Sequence, residues 1–425
     1  MFLALPGAHF DGHLFAEQAV KRGATAVVGE RPRLRAVLGD CAVILVNDAR
    51  KALGRLAAEY RKDFELPIVA VGGSNGKTTT KELLASVLRQ RLAALWSEAS
   101  FNNDIGVPLT LLRLEKTHQA AVLEVGTNHP GELAPLVKMI RPQYGIITCI
   151  GREHLEFFGD VAGVAGEEGS LAELLPAHGR LFLNGDDEWT GRIAERSRAS
   201  VVRVGFSDGN DWRARDLRPT RQGVAFYVEG PGAGLAGEYQ IHLLGRHQVV
   251  NALFAIALAA ELGLGREEIA RGLAECKAPK MRLELWEFSG VRVLDDAYNA
   301  NADSVLAALR TLRDFPCKGR RIAVLGDMAE LGAGSEAAHV EIGGWAGELG
   351  IDQLFAVGKM ALVMGRGART AGLNRVFEFT DVEAAAGAVK SFVKRGDVLL
   401  LKASRATRLE RIADLLRAGE AARKN

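Results

Sequence analysis

The fold is decided by one stretch of the sequence, Val69-Ala70-Val71-Gly72-Gly73-Ser74-Asn75-Gly76-Lys77-Thr78-Thr79-Thr80. Its apolar first part, which begins after Pro67, is typical of a buried parallel strand, and the segment from Thr79 to Gln90 is typical of the helix that follows. A glycine-rich turn at such a junction presents backbone N–H groups and the positive end of the helix dipole to an anion. The stretch therefore predicts a phosphate-binding loop, which we call the phosphate loop (residues 73–79).

The side chains of the phosphate loop suggest specific roles. Lys77 would contact the β- and γ-phosphates of a nucleotide, and the Thr78 hydroxyl would hold Mg²⁺. Val71 occupies the place of the first glycine in the usual Walker motif, so this is a shortened variant, Gly-Ser-Asn-Gly-Lys-Thr. A turn that only joins strand to helix is the alternative, and Gly-Lys-Thr at that junction argues against it. The predicted nucleotide-binding residues are Gly73, Ser74, Asn75, Gly76, Lys77, Thr78 and Thr79.

Composition limits the class of protein. A chain of 425 residues predicts two to four domains, since single cores stop growing at roughly 250 to 300 residues. The net charge of +2 argues against a dedicated nucleic-acid binder. Four widely spaced cysteines without a Cys-x-x-Cys pair argue against a zinc ribbon or a disulfide framework. No apolar run approaches the ~20 residues that span a bilayer, so we expect a cytoplasmic protein without membrane insertion.

The pattern of predicted elements indicates an α/β fold with three domains. Residues 1–65 alternate short strands and helices, as in a small α/β unit. Residues 66–281 contain the phosphate loop, further buried parallel strands and an antiparallel excursion over about 210–245. Residues 282–425 alternate four strands with four helices, which predicts a second, Rossmann-like doubly wound domain.

Polar residues follow two predicted strands of the central segment. Glu124 lies near the end of the strand Ala120–Gly126, and His154 follows the strand Gly145–Gly151. Ligands of open parallel sheets bind beyond the carboxyl ends of the strands. Glu124 and His154 could therefore converge with Thr78, although a cap or a histidine satisfied by the fold remains the alternative.

Other candidate residues lie in loops or inside a helix. Asn102 and Asn103 precede a glycine and a proline, and they could be ligand contacts or plain turn formers. Asp11 and His13 lie in a predicted turn, and they too could be ligand contacts or plain turn residues. Asn251 lies within an apolar helix, where a buried amide either satisfies neighbouring backbone or recognises a base edge; the sequence does not decide which.

Three predicted strands of the C-terminal segment also end in polar residues. Three such endings in one sheet favour a binding rim over ordinary turns, and we expect this rim to face the phosphate loop across a cleft. The stretches are Asp295-Asp296-Ala297-Tyr298-Asn299-Ala300-Asn301, Gly326-Asp327-Met328-Ala329-Glu330 and Lys402-Ala403-Ser404-Arg405.

Taken together, these segments resemble the Mur ligases of peptidoglycan precursor synthesis, most of all the member that adds D-alanyl-D-alanine to UDP-N-acetylmuramoyl-tripeptide. The order and spacing of the motifs are specific to the family, and the choice of member rests mainly on the first and the last three. The motifs are Phe-Asp-Gly-His at 10–13, Gly-Ser-Asn-Gly-Lys-Thr-Thr-Thr at 73–80, Asn-Asn-Asp-Ile-Gly-Val-Pro at 102–108, Glu-Val-Gly at 124–126, His-Leu-Glu at 154–156, Gly-Arg-His at 245–247 with Asn251, Asp-Asp-Ala-Tyr-Asn-Ala-Asn at 295–301, Leu-Gly-Asp-Met-Ala-Glu-Leu-Gly at 325–332 and Lys-Ala-Ser-Arg at 402–405.

The resemblance implies a UDP-substrate-binding domain at residues 1–65, an ATP-binding domain at 66–281, a ligase domain at 282–425, and a monomer. It implies that a substrate carboxylate attacks the γ-phosphate of ATP, and that the amine of D-alanyl-D-alanine then displaces phosphate from the acyl phosphate. Because two anions must approach each other, positioning and cations would supply most of the catalysis.

The same resemblance implies roles for individual residues. Glu124 and His154 would hold a second Mg²⁺ between the γ-phosphate and the acyl oxygen, with Lys77 as the other catalytic side chain. The remaining nucleotide contacts would be Asn251 to adenine, Asp296 to ribose, Arg282 to the phosphates, and Tyr298 and Asn299. The substrate contacts would be Asp11, His13, Asn102, Asn103, Asp327, Lys402, Ser404 and Arg405.

The chain departs from the family pattern in a predicted helix from Val161 to Leu175. Most members have a carbamylated lysine in a segment reading Ala-Lys-Ala-Lys-Gly-Glu, whereas residues 165–170 read Ala-Gly-Glu-Glu-Gly-Ser. No lysine lies between Lys138 and Lys277, so the carbamate cannot form there. Our hypothesis is that Glu168 supplies the missing carboxylate as a catalytic residue and Mg²⁺ ligand, directly or through a water.

A second departure lies near the N-terminus. The family has a Thr-Asp-Ser-Arg-like stretch, which helps to hold the uridine, before the strand seen at residues 2–5. Its absence indicates a misassigned start or uridine binding by the residues around 10–13.

Two alternatives to the proposed member remain: another Mur-type amino-acid or folylpolyglutamate synthetase-like ligase, or a non-catalytic nucleotide-binding homologue. The Asp-Asn-Pro-Arg-type motif of the diamino-acid-adding member is not found in the sequence.

A first prediction follows from the missing lysine. Ligation should proceed at the same rate in CO₂-depleted buffer and in bicarbonate, because a glutamate carries its carboxylate permanently. The comparison is a phosphate-release assay under both conditions, and stimulation by bicarbonate would contradict the prediction.

Overall fold

A computed structural model describes residues 1–7, 10–34, 39–220, 222–231 and 234–424. The predicted α/β class is confirmed, since three separate sheets are each associated with helices. None of the helices in these ranges is both long and apolar enough to cross a membrane.

The N-terminal part forms a small sheet of three parallel strands in the order β1-β2-β3. The turn predicted around residues 10–13 is a short 3-10 helix over Gly12–Phe15, capped by Asp11. The elements are β1 (Phe2–Leu3), α1 (Ala16–Lys21), β2 (Ala26–Glu30), β3 (Ala42–Val46) and α2 (Ala49–Tyr60).

The described residues of the central part form a sheet of nine strands, in which the strand before the phosphate loop is third from one edge. The sheet order is β12-β11-β10-β9-β8-β7-β4-β6-β5. The strands and first helices are β4 (Ile68–Gly72), α3 (Lys77–Leu88), β5 (Ala94–Trp96), α4 (Gly106–Leu111), β6 (Ala120–Glu124), α5 (Leu133–Ile140) and β7 (Tyr144–Ile147). The rest are α6 (Leu155–Phe158), α7 (Val161–Glu168), α8 (Ser170–Leu174), β8 (Arg180–Asn184), α9 (Thr190–Ala194), β9 (Ser200–Gly205), β10 (Trp212–Pro219), β11 (Val224–Glu229), β12 (Gly237–Ile241), α10 (His247–Glu261) and α11 (Arg266–Glu275).

Strand β4 is buried along its whole length, as its apolar sequence predicts. It pairs in parallel with β6 and β7, so the carboxyl ends of all three strands meet at one edge. Helices α3, α10 and α11 cover one face, and α4, α5 and α8 cover the other. The predicted antiparallel excursion is present as β10, β11 and β12.

The C-terminal part has two more strands and one more helix than the sequence predicts. Its six-stranded sheet has the order β13-β14-β18-β15-β16-β17, with only the β13–β14 pair antiparallel. The elements are β13 (Glu284–Phe288), β14 (Val291–Asp296), α12 (Ala302–Asp314), β15 (Arg321–Gly326), α13 (Ser335–Glu348), β16 (Gln353–Val357), α14 (Ala361–Thr370), β17 (Val376–Phe379), α15 (Val382–Phe392), β18 (Val398–Lys402) and α16 (Glu410–Lys424).

Helix α14 was missed because its two glycines lower helix propensity, whereas tertiary packing requires them. It lies so close to α13 that a Cβ on Gly367 would overlap the backbone of Val340. On the other side of the contact, a Cβ on Gly343 would overlap the backbone of Met364. Backbone contact between the two helices therefore selects glycine at these positions.

This contact gives a matched pair of substitutions in helix α13. Gly343→Ala should lower the free energy of unfolding by about 1 to 3 kcal/mol, because the added methyl group has no space. Gly344→Ala meets nothing closer than the Gly367 carbonyl at 4.0 Å and should be neutral or stabilise by up to about 1 kcal/mol. Thermal unfolding of both variants tests this, and equal midpoints would contradict it.

Candidate active site

One cavity of about 520 Å³ lies between the central and C-terminal sheets. It unites the phosphate loop, the ends of β6 and β7, and the polar stretches after β14, β15 and β18. The predicted site residues that line it are Ser74, Asn75, Gly76, Lys77, Thr78, Thr79, Asn102, Asn103, Glu124, His154, Asn251, Arg282, Asp296, Tyr298, Asn299, Lys402 and Ser404. The expected cleft between the two rims is therefore present.

The phosphate loop has the backbone that its glycines predict. Gly73 and Gly76 both have positive φ, and a Cβ on Gly76 would lie 2.6 Å from Asn251 Oδ1. Lys77 Nζ donates to the carbonyls of Gly73 and Ser74, and lies 3.4 Å from Glu153 Oε2. Burial lowers the pKa of Lys77, but nearby carboxylates, Glu153 first among them, outweigh burial and raise it. Lys77 is therefore a fixed positive charge at the start of α3.

Glu124 is buried at the end of β6, and only one of its two carboxylate oxygens has a hydrogen-bond partner among the described residues. Asn102 Nδ2 donates to Glu124 Oε1 at 2.9 Å, which places that predicted amide beside the carboxylate. Glu124 Oε2 has no hydrogen-bond partner among the described residues, and its nearest cation is Lys81 Nζ at 3.9 Å. Lys81 itself is fully buried and donates to the carbonyls of Ser97 and Ala99.

The segment after β7 crosses directly over the phosphate loop. The Ser74 hydroxyl accepts from Gly151 N–H at 2.8 Å, and the Ser74 N–H donates to the Cys149 carbonyl. Thr148 Oγ1 donates to the carbonyl of Asn75 at 2.6 Å. These bonds explain how Glu153, a residue that the sequence analysis did not select, comes to lie beside Lys77.

Glu168 lies behind the phosphate loop, and the cavity lining does not include it. Its Oε2 accepts from the Gly73 N–H at 2.6 Å, and its Oε1 has no hydrogen-bond partner among the described residues. Burial raises the pKa of the Glu168 carboxyl to about 7; Glu153 adds to the rise, whereas Lys77 and the Gly73 N–H oppose it. As a metal ligand Glu168 stays a prediction, because its observed contact is with the loop backbone.

Side chains from both sheets meet across the cleft. Arg152 makes a two-point contact with Asp303 at the start of α12 and donates to Glu341 Oε2 on α13 at 2.7 Å. His154 Nδ1 lies 2.5 Å from Glu330 Oε2. Asn301, the N-cap of α12, donates to Asn75 Oδ1 at 3.0 Å.

On the C-terminal rim, Lys402 Nζ donates to Asp296 Oδ2 at 2.6 Å and to the Asn299 carbonyl at 3.1 Å. The Arg282 guanidinium lies 4.2 Å from the ring centre of Tyr298 and donates to Ser100 Oγ on the opposite side. Ser404 Oγ accepts from the Ala329 N–H and donates to the Ala300 carbonyl, so it joins two of the polar stretches.

The amide of Asn251 has partners within the protein. Its Nδ2 donates to Gln248 Oε1 at 2.8 Å, and its Oδ1 accepts from Thr80 Oγ1 at 3.2 Å. It therefore joins helix α10 to α3, and adenine recognition by this side chain stays a prediction. Burial lowers the pKa of the neighbouring His247 to about 4, so this imidazole is neutral at physiological pH.

Four predicted substrate residues lie outside the cavity lining. Asp327 accepts hydrogen bonds from the N–H groups of Lys359 and Met360, which lie in the turn before α14. Arg405 is exposed and pairs with Glu410 at 3.1 Å. Neither residue lines the cavity, and a substrate role for these two side chains stays a prediction.

Asp11 and His13 form a local network in the N-terminal part. His13 Nδ1 lies 2.6 Å from Asp11 Oδ1, and His13 Nε2 accepts from the Glu30 N–H. Hydrogen bonds from His13, and then from Arg33, lower the pKa of Asp11 to about 2. This network holds the turn in place, and contact with a substrate stays a prediction.

Comparison with known proteins decides the family. Three family models match, described as the Mur ligase family catalytic domain at residues 1–61, the Mur ligase middle domain at 71–259 and the Mur ligase glutamate ligase domain at 281–405. The UDP-N-acetylmuramoyl-tripeptide–D-alanyl-D-alanine ligase of Escherichia coli (strain K12) is 37% identical over 98% of this chain and 90% of its own length. The chain belongs to the Mur ligase family.

Other relatives agree with this result. The Bacillus subtilis (strain 168) ligase of the same name is 35% identical over 97% of this chain and 89% of its own. Among solved structures, MurF from Acinetobacter baumannii has a TM-score of 0.89 at 32% identity, covering 98% of this chain and 90% of that one. MurF from Thermotoga maritima in complex with ADP has a TM-score of 0.85 at 27% identity, covering 99% and 94%. Within the Mur ligase family, the chain is thus most similar to MurF proteins among these matches.

Glu168 gives a pH-dependent prediction. Burial holds the pKa of Glu168 at about 7 in the folded protein, whereas the unfolded chain releases this proton near the ordinary glutamate pKa of 4.5. Between these values the folded state binds more protons, so the stability of the wild type falls as pH rises. Without metal and nucleotide, Glu168→Gln should therefore gain on the order of 2 to 3 kcal/mol relative to wild type between pH 5 and pH 8.

Thermal unfolding across this pH range checks the expectation. Glu195→Gln, at an exposed residue, is the control and should follow the wild type at every pH. A difference between wild type and Glu168→Gln that does not change with pH would contradict the assigned protonation.

Proposed function

We propose that this protein is an ATP-dependent ligase that joins D-alanyl-D-alanine to UDP-N-acetylmuramoyl-tripeptide. The observation that carries the proposal is a single cavity in which the phosphate loop faces the polar rim of a second sheet, in a chain similar over nearly its whole length to ligases of that name. The same similarity supports a cytoplasmic enzyme of peptidoglycan precursor synthesis, with domains at residues 1–65, 66–281 and 282–425.

The chain supplies the groups that phosphoryl transfer needs. Lys77 and the free N–H groups at the start of α3 would bind the phosphates, because positive charge is concentrated there. A carboxylate of the UDP-peptide attacks the γ-phosphate, ADP leaves, and an acyl phosphate forms. The amine of D-alanyl-D-alanine then attacks the acyl carbon, phosphate leaves, and an amide bond remains. Enclosure between two sheets would protect the acyl phosphate from water.

The donor atoms fit a divalent cation of the Mg²⁺ class. Glu124 Oε2 is buried and without a partner, and an unpaired buried carboxylate oxygen is costly unless a cation binds it. His154 Nδ1 contacts Glu330, which leaves Nε2 available as a ligand in the usual arrangement of metal-binding histidines. Thr78 would hold the Mg²⁺ of the nucleotide, and Glu124 and His154 would hold a second Mg²⁺; each ion would neutralise phosphate charge when bound.

The nucleoside and the second substrate would occupy the remaining walls. Asn251, Asp296, Arg282, Tyr298 and Asn299 line the side of the cavity next to α10 and are proposed to bind adenosine. On the remaining walls, the other proposed substrate contacts are Asn102, Asn103, Lys402 and Ser404. In the N-terminal part, Asp11 and His13 would bind the UDP moiety.

The test is a phosphate-release assay. Release should require ATP, a UDP-N-acetylmuramoyl-tripeptide and D-alanyl-D-alanine together, and Lys77→Ala should reduce it by about 100-fold to 1000-fold, as expected for loss of a charge that stabilises the transition state. Lys116→Ala, at an exposed residue, should leave the rate unchanged.

The substrate requirement separates the alternatives. Release with a single amino acid in place of the dipeptide would identify another Mur-type ligase. Nucleotide binding without release under any combination would identify a non-catalytic homologue. Either result would contradict the proposed function.

A further inference from the structure

A buried lysine that the proposed mechanism does not use lies one helical turn after Lys77. Lys81 belongs to α3, and its side chain is fully buried. Its Nζ donates to the Ser97 carbonyl at 2.8 Å and to the Ala99 carbonyl, and Glu82 Oε1 lies 2.8 Å from it. A charge inside a protein is costly unless it is paired and hydrogen-bonded. The two carbonyls therefore have fixed places around this ammonium group.

The two carbonyls belong to the loop between β5 and α4. We call residues 97–103 the asparagine loop, because it ends in Asn102 and Asn103. Ala99 has a φ of 45°, in the left-handed region that is unfavourable for a residue with a Cβ. Lys81 donates to the carbonyl of this same residue. The hydrogen bond from Lys81 thus holds the loop at a residue whose backbone conformation is unfavourable by itself.

The asparagine loop forms part of the cavity wall, whereas Lys81 does not line the cavity. The lining residues of the loop are Ser100, Asn102 and Asn103. Ser100 Oγ accepts a hydrogen bond from Arg282 at 3.3 Å. Asn102 Nδ2 donates to Glu124 Oε1 at 2.9 Å. The loop therefore carries side chains to both sides of the proposed active site.

The two ends of the loop have contacts that do not involve Lys81. Ser97 Oγ accepts from the Glu124 N–H at 3.1 Å, and the Asn102 carbonyl accepts from the Gly126 N–H at 2.9 Å. These bonds join the ends of the loop to β6 and to the residues that follow it. The contact with Lys81 acts on the middle of the loop, so its loss should displace residues 99 and 100 without unfolding the sheet.

We propose that Lys81 is a positioning residue of this active site, whose buried ammonium group keeps the asparagine loop in the conformation that presents Ser100 and Asn102 to the cavity. The inference rests on the proposed function, in which Glu124 lies where the γ-phosphate meets the carboxylate of the UDP-peptide. Because Asn102 is bonded to Glu124, the substrate affected by the loop is the UDP-peptide.

The experiment measures steady-state phosphate release by the full chain with Lys81→Met, which removes the charge and the hydrogen bonds of a long side chain. The KM for the UDP-peptide should rise by about 5-fold to 30-fold, the factor by which a residue with a Cβ avoids left-handed backbone. Affinity for a non-hydrolysable ATP analogue should stay at the wild-type value, since the segment after β7 holds the phosphate loop. Lys138→Met, at an exposed residue of α5, should leave both values unchanged.

A second substitution separates positioning from charge. Lys81 Nζ lies 3.9 Å from Glu124 Oε2, so its loss also changes the charge beside that carboxylate. Glycine adopts left-handed backbone without a steric penalty. Adding Ala99→Gly to Lys81→Met should therefore return the KM for the UDP-peptide toward the wild-type value. A role through charge alone predicts no such recovery, because Ala99→Gly changes no charge.

Ala99→Val serves as a further variant if Lys81→Met does not fold. Ala99 is exposed, so the larger side chain enters no core, but a β-branched residue strongly disfavours left-handed backbone. Ala99→Val should raise the same KM with Lys81 intact, whereas Ala99→Gly alone should not. A wild-type KM in Lys81→Met, or in Ala99→Val where it replaces that variant, would overturn the inference. A rise in Lys81→Met that Ala99→Gly does not reduce would overturn it as well.

The wild type separates this result from the proposed function. If the wild type ligates the two substrates and the variants behave as it does, only the role of Lys81 is overturned. If the wild type does not ligate, the proposed function fails, and hydrogen exchange of the asparagine loop then tests Lys81. The Phe101 N–H, which donates to the Glu98 carbonyl across the turn at Ala99, should exchange faster in Lys81→Met. Equal exchange rates would count against the positioning role.

Discussion

The structure of the site depends on one largely buried positive charge. Lys77 is held by the carbonyls of its own loop and is paired with Glu153, while Glu168 on α7 accepts from the Gly73 N–H behind the same loop. A buried ammonium group is costly unless it is paired, so this pairing requires the segment after β7 and helix α7 to pack against the loop. The parallel pairing of β4 with β6 and β7 places Glu124 and His154 at the same carboxyl edge of the sheet.

The second sheet is joined to this centre by polar contacts rather than by a continuous apolar core. Arg152 with Asp303, His154 with Glu330, and Asn75 with Asn301 all cross the cleft, while the apolar clusters stay almost entirely within their own sheets. Interfaces of this kind allow domains to move relative to each other. The contacts lie next to the predicted catalytic residues.

Local sequence signals correctly indicated much of this arrangement. The phosphate loop follows from glycines with positive φ before a Lys-Thr helix start, and the cleft follows from polar residues at strand ends. Two predicted site residues are bonded to the protein itself, Asp327 to the turn before α14 and Glu168 to the Gly73 N–H, so their roles toward a ligand stay predictions. The sequence analysis also missed helix α14, because the low helix propensity of glycine does not reveal that another helix packs against it.

The sequence by itself determined the α/β class, the phosphate loop and the family, because these depend on residue order, periodicity and the spacing of motifs along one chain. Only the tertiary structure decided which carboxylate lies in the cavity wall. Glu153 lies in the loop after β7 and Glu168 is the last residue of α7, and the sequence does not show which of the two lines the cavity. Their different roles arise from long-range packing, which turns Glu153 toward the cavity beside Lys77 and leaves Glu168 behind the loop.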